Sequence, residues 1–291
     1  MNLKIVRYIS FITFLLMIFP LPIAILFQLI SKNIMPQLLP PDGVGGIIEE
    51  LSWFIFIISL SSLLIFLLAR SRRIPLLVAV FAFFVVFLSF TSSYTISYLL
   101  IEDQVISIFL SLLVILLWSL VFILKNDYLA RALSSSLVLL TGSLAGIVFV
   151  IVVPIYVTIV FLVFLCIYDL FSVRYGHLKE LMKALLVNEK LKKEEVTFSR
   201  ITTKIRSPLF FITAYAGLMN VGIGDVMSYV MLNCIASLFS GVYGTSLVFI
   251  SITLGFLLTY KLMIKLKLAY APGLPLPILF GLITIGILRF L

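Results

Sequence analysis

Apolar residues run through this chain in long unbroken blocks, and the polar residues that separate them fall in short clusters. A block of roughly 20 apolar residues is long enough to cross a bilayer as a helix. About nine such blocks are present, near residues 8–30, 51–69, 75–100, 105–124, 132–152, 155–173, 221–240, 243–260 and 272–288. The pattern predicts an all-α polytopic membrane protein of about nine transmembrane helices in a single bundle. Residues 1–153 would form an N-terminal five-span scaffold. Residues 154–291 would form a four-span C-terminal part interrupted by a polar loop at 174–208. The first block follows Lys4 and Arg7 as a secretory signal would, but it is too long and lacks a small-x-small cleavage site, so it reads as a retained anchor.

Composition narrows the class. With 63% hydrophobic and 11% charged residues, the chain has too little polar surface for an ordinary soluble domain, and no soluble catalytic domain is expected. Cys166 and Cys234 lie within or beside apolar blocks and suggest packing, not a disulfide framework or a metal site. His177 stands alone in a basic segment without ligand-spaced neighbours, as a surface residue would. No metal, no cofactor and no nucleic-acid partner is expected.

Charge adds direction. Of the 21 Lys and Arg residues, all but Lys32 and Arg289 fall in alternate connections, the largest group lying between Arg174 and Arg206. The positive-inside rule then predicts a cytoplasmic N-terminus and an external C-terminus. The net charge of +9 is thus first a topology signal. In the 174–208 loop, Leu178, Leu181, Met182, Leu185 and Leu186 follow a helical spacing with Lys179, Glu180 and Lys183 on other faces, which suits a segment lying on the membrane surface against anionic headgroups.

Of the twelve acids, ten lie in these polar connections. The remaining two, Asp169 and Asp225, are inside apolar blocks, and Asp225 is the only formally charged residue between Pro208 and Tyr260. An ionisable group in hydrocarbon costs several kcal/mol, so an intramembrane carboxylate is a functional-site hypothesis by default. Asp169 would lie roughly 7 Å inside the cytoplasmic face. A seventh span starting at Leu209 would put Asp225 about 24 Å deep, whereas a start near Val221 puts it at roughly 6 Å, level with Asp169. Pairing therefore predicts a boundary near Val221 and makes Leu209 to Asn220 an approach segment that does not cross.

Small and rigid residues surround these acids. Gly222 and Gly224 flank Asp225, where missing side chains would let a peptide approach. Gly142 and Gly146 form a small-xxx-small pair suited to helix packing. Pro272, Gly273, Leu274, Pro275 and Pro277 open the last block. Three prolines so close together predict an extended strip whose free carbonyls could bond a substrate, although a proline at a helix start is ordinary.

Tyr168-Asp169, then Gly222-Ile223-Gly224-Asp225, then Pro272-Gly273-Leu274-Pro275 resemble, in that order, the Tyr-Asp, Gly-x-Gly-Asp and Pro-Ala-Leu motifs of the presenilin and signal peptide peptidase family of intramembrane aspartyl proteases. The likeness covers the last four spans and extends to Leu170-Phe171-Ser172-Val173, with Gly273 standing where the family has alanine. It implies a presenilin-like bundle, with the 154–291 part catalytic and presenilin-like in orientation. It also implies that Asp169 and Asp225 are the catalytic pair, one taking a proton from water while the other protonates the scissile carbonyl oxygen. The pair would titrate as a unit. Tyr168, Gly222, Gly224, Pro272, Gly273, Leu274 and Pro275 would shape the site, the partner being a transmembrane helix of another membrane protein or a signal peptide within the lipid bilayer.

Other accounts remain. Asp169 could pair with Arg174 while Asp225 makes a buried polar contact, though this explains either acid better than both. Paired acids also serve transporters or ion and proton leak pathways, which should show an internal repeat; no convincing repeat is present. A prepilin or preflagellin-type peptidase also uses Gly-x-Gly-Asp, but there a lysine typically follows, and here Val226-Met227-Ser228-Tyr229 does.

Overall fold

Backbone N–H and C=O groups removed from water must bond within their own segment, and this favours helix wherever an apolar block is long. The computed structural model describes residues 20–31, 44–70, 74–124, 127–175, 213–216, 219–265 and 273–290. They form α1 (Pro20–Ser31), α2 (Val44–Arg70), α3 (Ile74–Ile101), α4 (Gln104–Ile123), α5 (Asp127–Val152) and α6 (Ile155–Tyr175), then β1 (Thr213–Ala216), β2 (Met219–Gly222), α7 (Ile223–Lys265) and α8 (Pro275–Phe290). Among the described residues, Ala79–Ile101, Gln104–Val121, Leu129–Val152 and Ile223–Leu262 are long and apolar enough to cross a membrane, and Ile155–Phe171 and Pro275–Phe290 are shorter apolar helices. Phe83, Phe109, Leu116 and many other large apolar side chains face outward, as they do when the surroundings are lipid. The chain is a helical membrane protein.

Its 43-residue α7 would rise roughly 65 Å if straight, about twice the hydrocarbon thickness. It is not straight. Ser240 and Gly241 leave helical geometry, Gly241 with φ 55° and ψ −141°, a region open to glycine. Beyond the break the chain turns back: the Thr245 hydroxyl donates to the Asn233 carbonyl at 3.4 Å, and a Cβ on Gly244 would lie 2.8 Å from the Ala236 carbonyl oxygen. The break separates the blocks expected at 221–240 and 243–260.

The first half of α7 is the centre of the molecule. Ser228 through Ser237 are buried without interruption, which a helix permits only when neighbours cover every face. One neighbour is α5, whose Gly142 and Gly146 face it. A Cβ at Gly146 would sit 2.7 Å from the Met227 carbonyl oxygen, and one at Gly142 would sit 3.0 Å from Val226 Cβ. The small-xxx-small pair thus packs helices, as its spacing suggests. α6 and α8 run antiparallel: Arg289 lies over the Tyr156 ring at 5.8 Å, while Asp169 meets Leu274 at the other end. The intervals 156–169 and 274–289 both span roughly 20 Å of helix, so the two contacts are mutually consistent.

The scaffold helices carry their own polar link. Trp118 Nε1 of α4 donates to Ser89 Oγ of α3 at 2.9 Å, Ser89 Oγ lies 2.6 Å from Thr141 Oγ1 of α5, and it donates to the Val85 carbonyl at 2.7 Å. With Thr141 as donor, one hydroxyl satisfies three helices in a dry interior. The two-residue connection before α4 is equally economical. Glu102 takes a positive φ of 58°, and Asp103 caps the helix by accepting from Val105 N at 2.8 Å and Ile106 N at 3.1 Å.

Two expectations are corrected. The protein is not purely helical, because Thr213–Ala216 and Met219–Gly222 pair as an antiparallel hairpin with Thr213 opposite Gly222; α7 starts right after it at Ile223, close to the boundary expected near Val221. The extended strip expected through Pro277 ends earlier, since α8 begins at Pro275 and Ile278 N donates to the Leu274 carbonyl at 3.0 Å. Pro275 and Pro277 occupy the first and third helical positions, whose amide donors have no partner inside the helix, so the missing N–H groups cost nothing. The helix before the 174–208 loop ends at Tyr175, close to the expected boundary. Residues 176–208 of that loop, the expected span before Pro20, and Pro272 lie outside the described residues.

Candidate functional site

Asp225 is held by the start of its own helix. With Ile223 as the first residue of α7, Gly222 is the capping residue and Asp225 the third helical one. Its Oδ2 accepts from the Gly222 amide at 3.0 Å, the reach-back half of a capping box. The bond satisfies one of the orphan donors of the helix start and fixes the carboxyl beside the end of β2. The glycine also gives it room, since a Cβ at Gly222 would be 3.3 Å from Oδ2. Gly224 is exposed, and a Cβ there would meet nothing within 4 Å. The space next to Asp225 on that side is open.

Asp169 comes from the body of α6, six residues before its last residue, Tyr175. Its Oδ2 accepts from the Leu274 amide at 3.1 Å, a donor at the mouth of α8 that no helical carbonyl can take. Gly273, one residue earlier, lies against the other acid: a Cβ there would sit 3.0 Å from Asp225 Oδ2 and 3.4 Å from Oδ1. Two carboxyls distant in sequence thus meet on consecutive residues of the third motif. Both are only partly buried.

Such a pair has defined chemistry. Two carboxyls in one apolar site hold a shared proton more cheaply than two charges, leaving one to accept a proton and the other to give one. Among the described residues no group of three His, Cys, Asp or Glu could hold a metal ion.

The remaining sequence-derived residues fall around this centre unequally. Tyr168 is half-buried and stacks on Phe164 one turn earlier, with ring centroids 6.4 Å apart. Gly222, Gly273 and Leu274 touch the acids directly, whereas Pro275 starts the helix behind them. Cys166, expected to serve packing, lies on the same α6 face as Asp169, its Sγ 3.9 Å from the Leu274 carbonyl.

Two participants escape the sequence reading. Tyr229, 1% exposed, donates its hydroxyl to the Gly273 carbonyl at 2.9 Å. Its position four residues after Asp225, on the same helical face, was the available signal. Gly255 is the other: a Cβ there would fall 2.6 Å from Pro277 Cα and 2.7 Å from its nitrogen, so its bareness lets the second half of α7 seat the first turn of α8. An isolated glycine in an apolar run carries too weak a signal to find it. Comparison of the chain with family models and with curated proteins finds no match.

Proposed function

We propose that this chain is an intramembrane aspartyl endopeptidase that cuts transmembrane segments of membrane proteins or signal peptides with Asp169 and Asp225. The observation that carries the reading is the meeting of both carboxyls on the Gly273–Leu274 backbone. An acid acting only as a helix cap, or only as an interfacial ion-pair partner, would not need the other one there. The order of the three short motifs and their likeness to the presenilin and signal peptide peptidase family support the same reading.

In this mechanism water sits between the carboxyls. The ionised acid takes one of its protons as the oxygen attacks the scissile carbonyl carbon, and the protonated acid donates to the carbonyl oxygen. Collapse of the resulting gem-diol breaks the C–N bond: the amine leaves with the proton held by one acid, while a gem-diol hydroxyl gives its proton to the other acid as the carboxylic acid forms. Both acids return to their starting count of one shared proton. No cofactor enters.

A substrate helix keeps its amides in its own hydrogen bonds and must open first. The hairpin β1–β2 ends at Gly222, beside Asp225, and offers a strand edge to which an opened segment can add. The span expected at 8–30, α2 to α6, the two halves of α7, and α8 make nine crossings on this reading, in a presenilin-like bundle. Arg131, Lys261 and Lys265 are exposed and belong with the cytoplasmic connections, at the end of the bundle that carries the acids, with the N-terminus on that side and the C-terminus outside.

The test is cleavage of a single-span model substrate by the purified protein in detergent. Asp169→Asn and Asp225→Asn, each folded by circular dichroism, should abolish cleavage, and a transition-state aspartyl protease inhibitor should block it. Activity surviving either substitution would sink the reading. Asp225-dependent ion or proton movement in liposomes without cleavage would replace it with a transport function.

A further inference from the structure

The site contains a further group that grips the peptide between the acids. Gly273 C=O and Leu274 N–H belong to one planar peptide unit, in which the two point in opposite directions. Asp169 Oδ2 takes the N–H at 3.1 Å. Tyr229 Oη donates to the C=O at 2.9 Å. The same unit begins at the glycine pressed against Asp225.

Resting on the protease reading above, we propose that Tyr229 is a positioning residue of the catalytic pair, acting through the Gly273–Leu274 peptide plane. The plane is pinned at both ends, from α7 by Tyr229 and from α6 by Asp169, so its rotation is stopped where a bare glycine would otherwise allow it. A hydrogen bond to a carbonyl also polarises its amide and strengthens the N–H as a donor. The hydroxyl thereby steadies the bond that orients Asp169 and holds Gly273 against Asp225. Tyr229 suits the task because its ring is buried in the most enclosed stretch of α7, which leaves the hydroxyl little freedom.

The experiment uses the full chain with Tyr229→Phe, which keeps the ring and removes only the hydroxyl. Tyr243→Phe, at a side chain 69% exposed, serves as control. In the cleavage assay, Tyr229→Phe should lower kcat roughly tenfold, about 1.4 kcal/mol of barrier, with KM within about twofold and the unfolding temperature close to wild type. A second readout is independent of catalysis. Alkylation of Cys166, beside the Leu274 carbonyl, should speed up several-fold when the plane loosens, while Cys234, fully buried, stays unreactive.

Wild-type kcat in Tyr229→Phe overturns the inference and leaves the protease reading intact. A loss of activity that merely follows a fall in unfolding temperature of more than about 10 °C makes the hydroxyl a fold bond and also overturns it. If the wild type shows no aspartate-dependent cleavage, the protease reading falls by itself. The Cys166 rate then decides the pinning of the plane, an unchanged rate overturning it.

Discussion

At Gly273 the absence of one carbon brings two elements together. Its virtual Cβ lies 3.0 Å from a carboxyl oxygen that is itself tied to the Gly222 amide, so an added methyl must push that carboxyl by a few tenths of an ångström. Gly273→Ala should therefore lower kcat/KM roughly threefold to tenfold, about 1 kcal/mol, and Gly273→Val should abolish cleavage because its branches point into the same carboxyl. Initial-rate measurements with each variant check this. Ser89 presents the opposite case, a side chain whose loss strands others. Ser89→Ala leaves the Trp118 indole N–H and the Thr141 hydroxyl without the oxygen they share, at a cost of about 1–3 kcal/mol for a stranded buried donor. Thermal unfolding in detergent should fall for Ser89→Ala and recover in part when Trp118→Phe is added, since the indole donor then no longer needs a partner.

Among elements, what decides function is how closely helix backbones approach. α5 reaches the first half of α7 at Gly146, and α8 reaches the second half at Gly255. In both places the nearest obstructing atom belongs to backbone, which cannot swing aside as a side chain does. Gly146→Leu should destabilise the bundle by about 1–3 kcal/mol through overpacking. Gly255→Leu should do so too, and it should also remove activity by driving Pro277, and with it Leu274, away from Asp169. Gly286→Ala, where an added Cβ meets nothing within 4 Å, should leave both properties near wild type. Unfolding temperature and cleavage rate measured on the three variants separate a general packing loss from displacement of the α8 start. The hairpin belongs to this scale as well. Its four-residue strands carry no strong pattern of their own, and its pairing places Gly222 where the helix start needs a cap.

For the whole molecule, the prediction concerns sidedness. With the acids near the basic end of the bundle, protease added to oriented vesicles should cut between Arg174 and Arg206 from the cytoplasmic side only. Cutting from the outside would reverse the orientation and place the acids near the external face. The long α7 shows what that prediction rests on. Its length demands a reversal, the reversal falls at Ser240 and Gly241, and because each crossing switches the face of the next connection, lysines and arginines gather in alternate connections.

The amino-acid sequence alone determined the class of protein, the helical blocks and the two acids worth pairing, because the cost of charge and of unbonded backbone in an apolar medium is written into composition and block length. It also marked Gly142 and Gly146 for packing, since helical spacing places them on one face. Tertiary structure alone decided that Pro275 and Pro277 open a helix, that the approach to α7 is a hairpin, and that Tyr229, Cys166 and Gly255 adjoin the site. The last three depend on partners far along the chain: Tyr229 is 44 residues from Gly273, Cys166 is 108 from Leu274, and Gly255 packs against Pro277 of the next helix. Local propensity has no term for a contact of that separation. Only the packed bundle supplies the second atom.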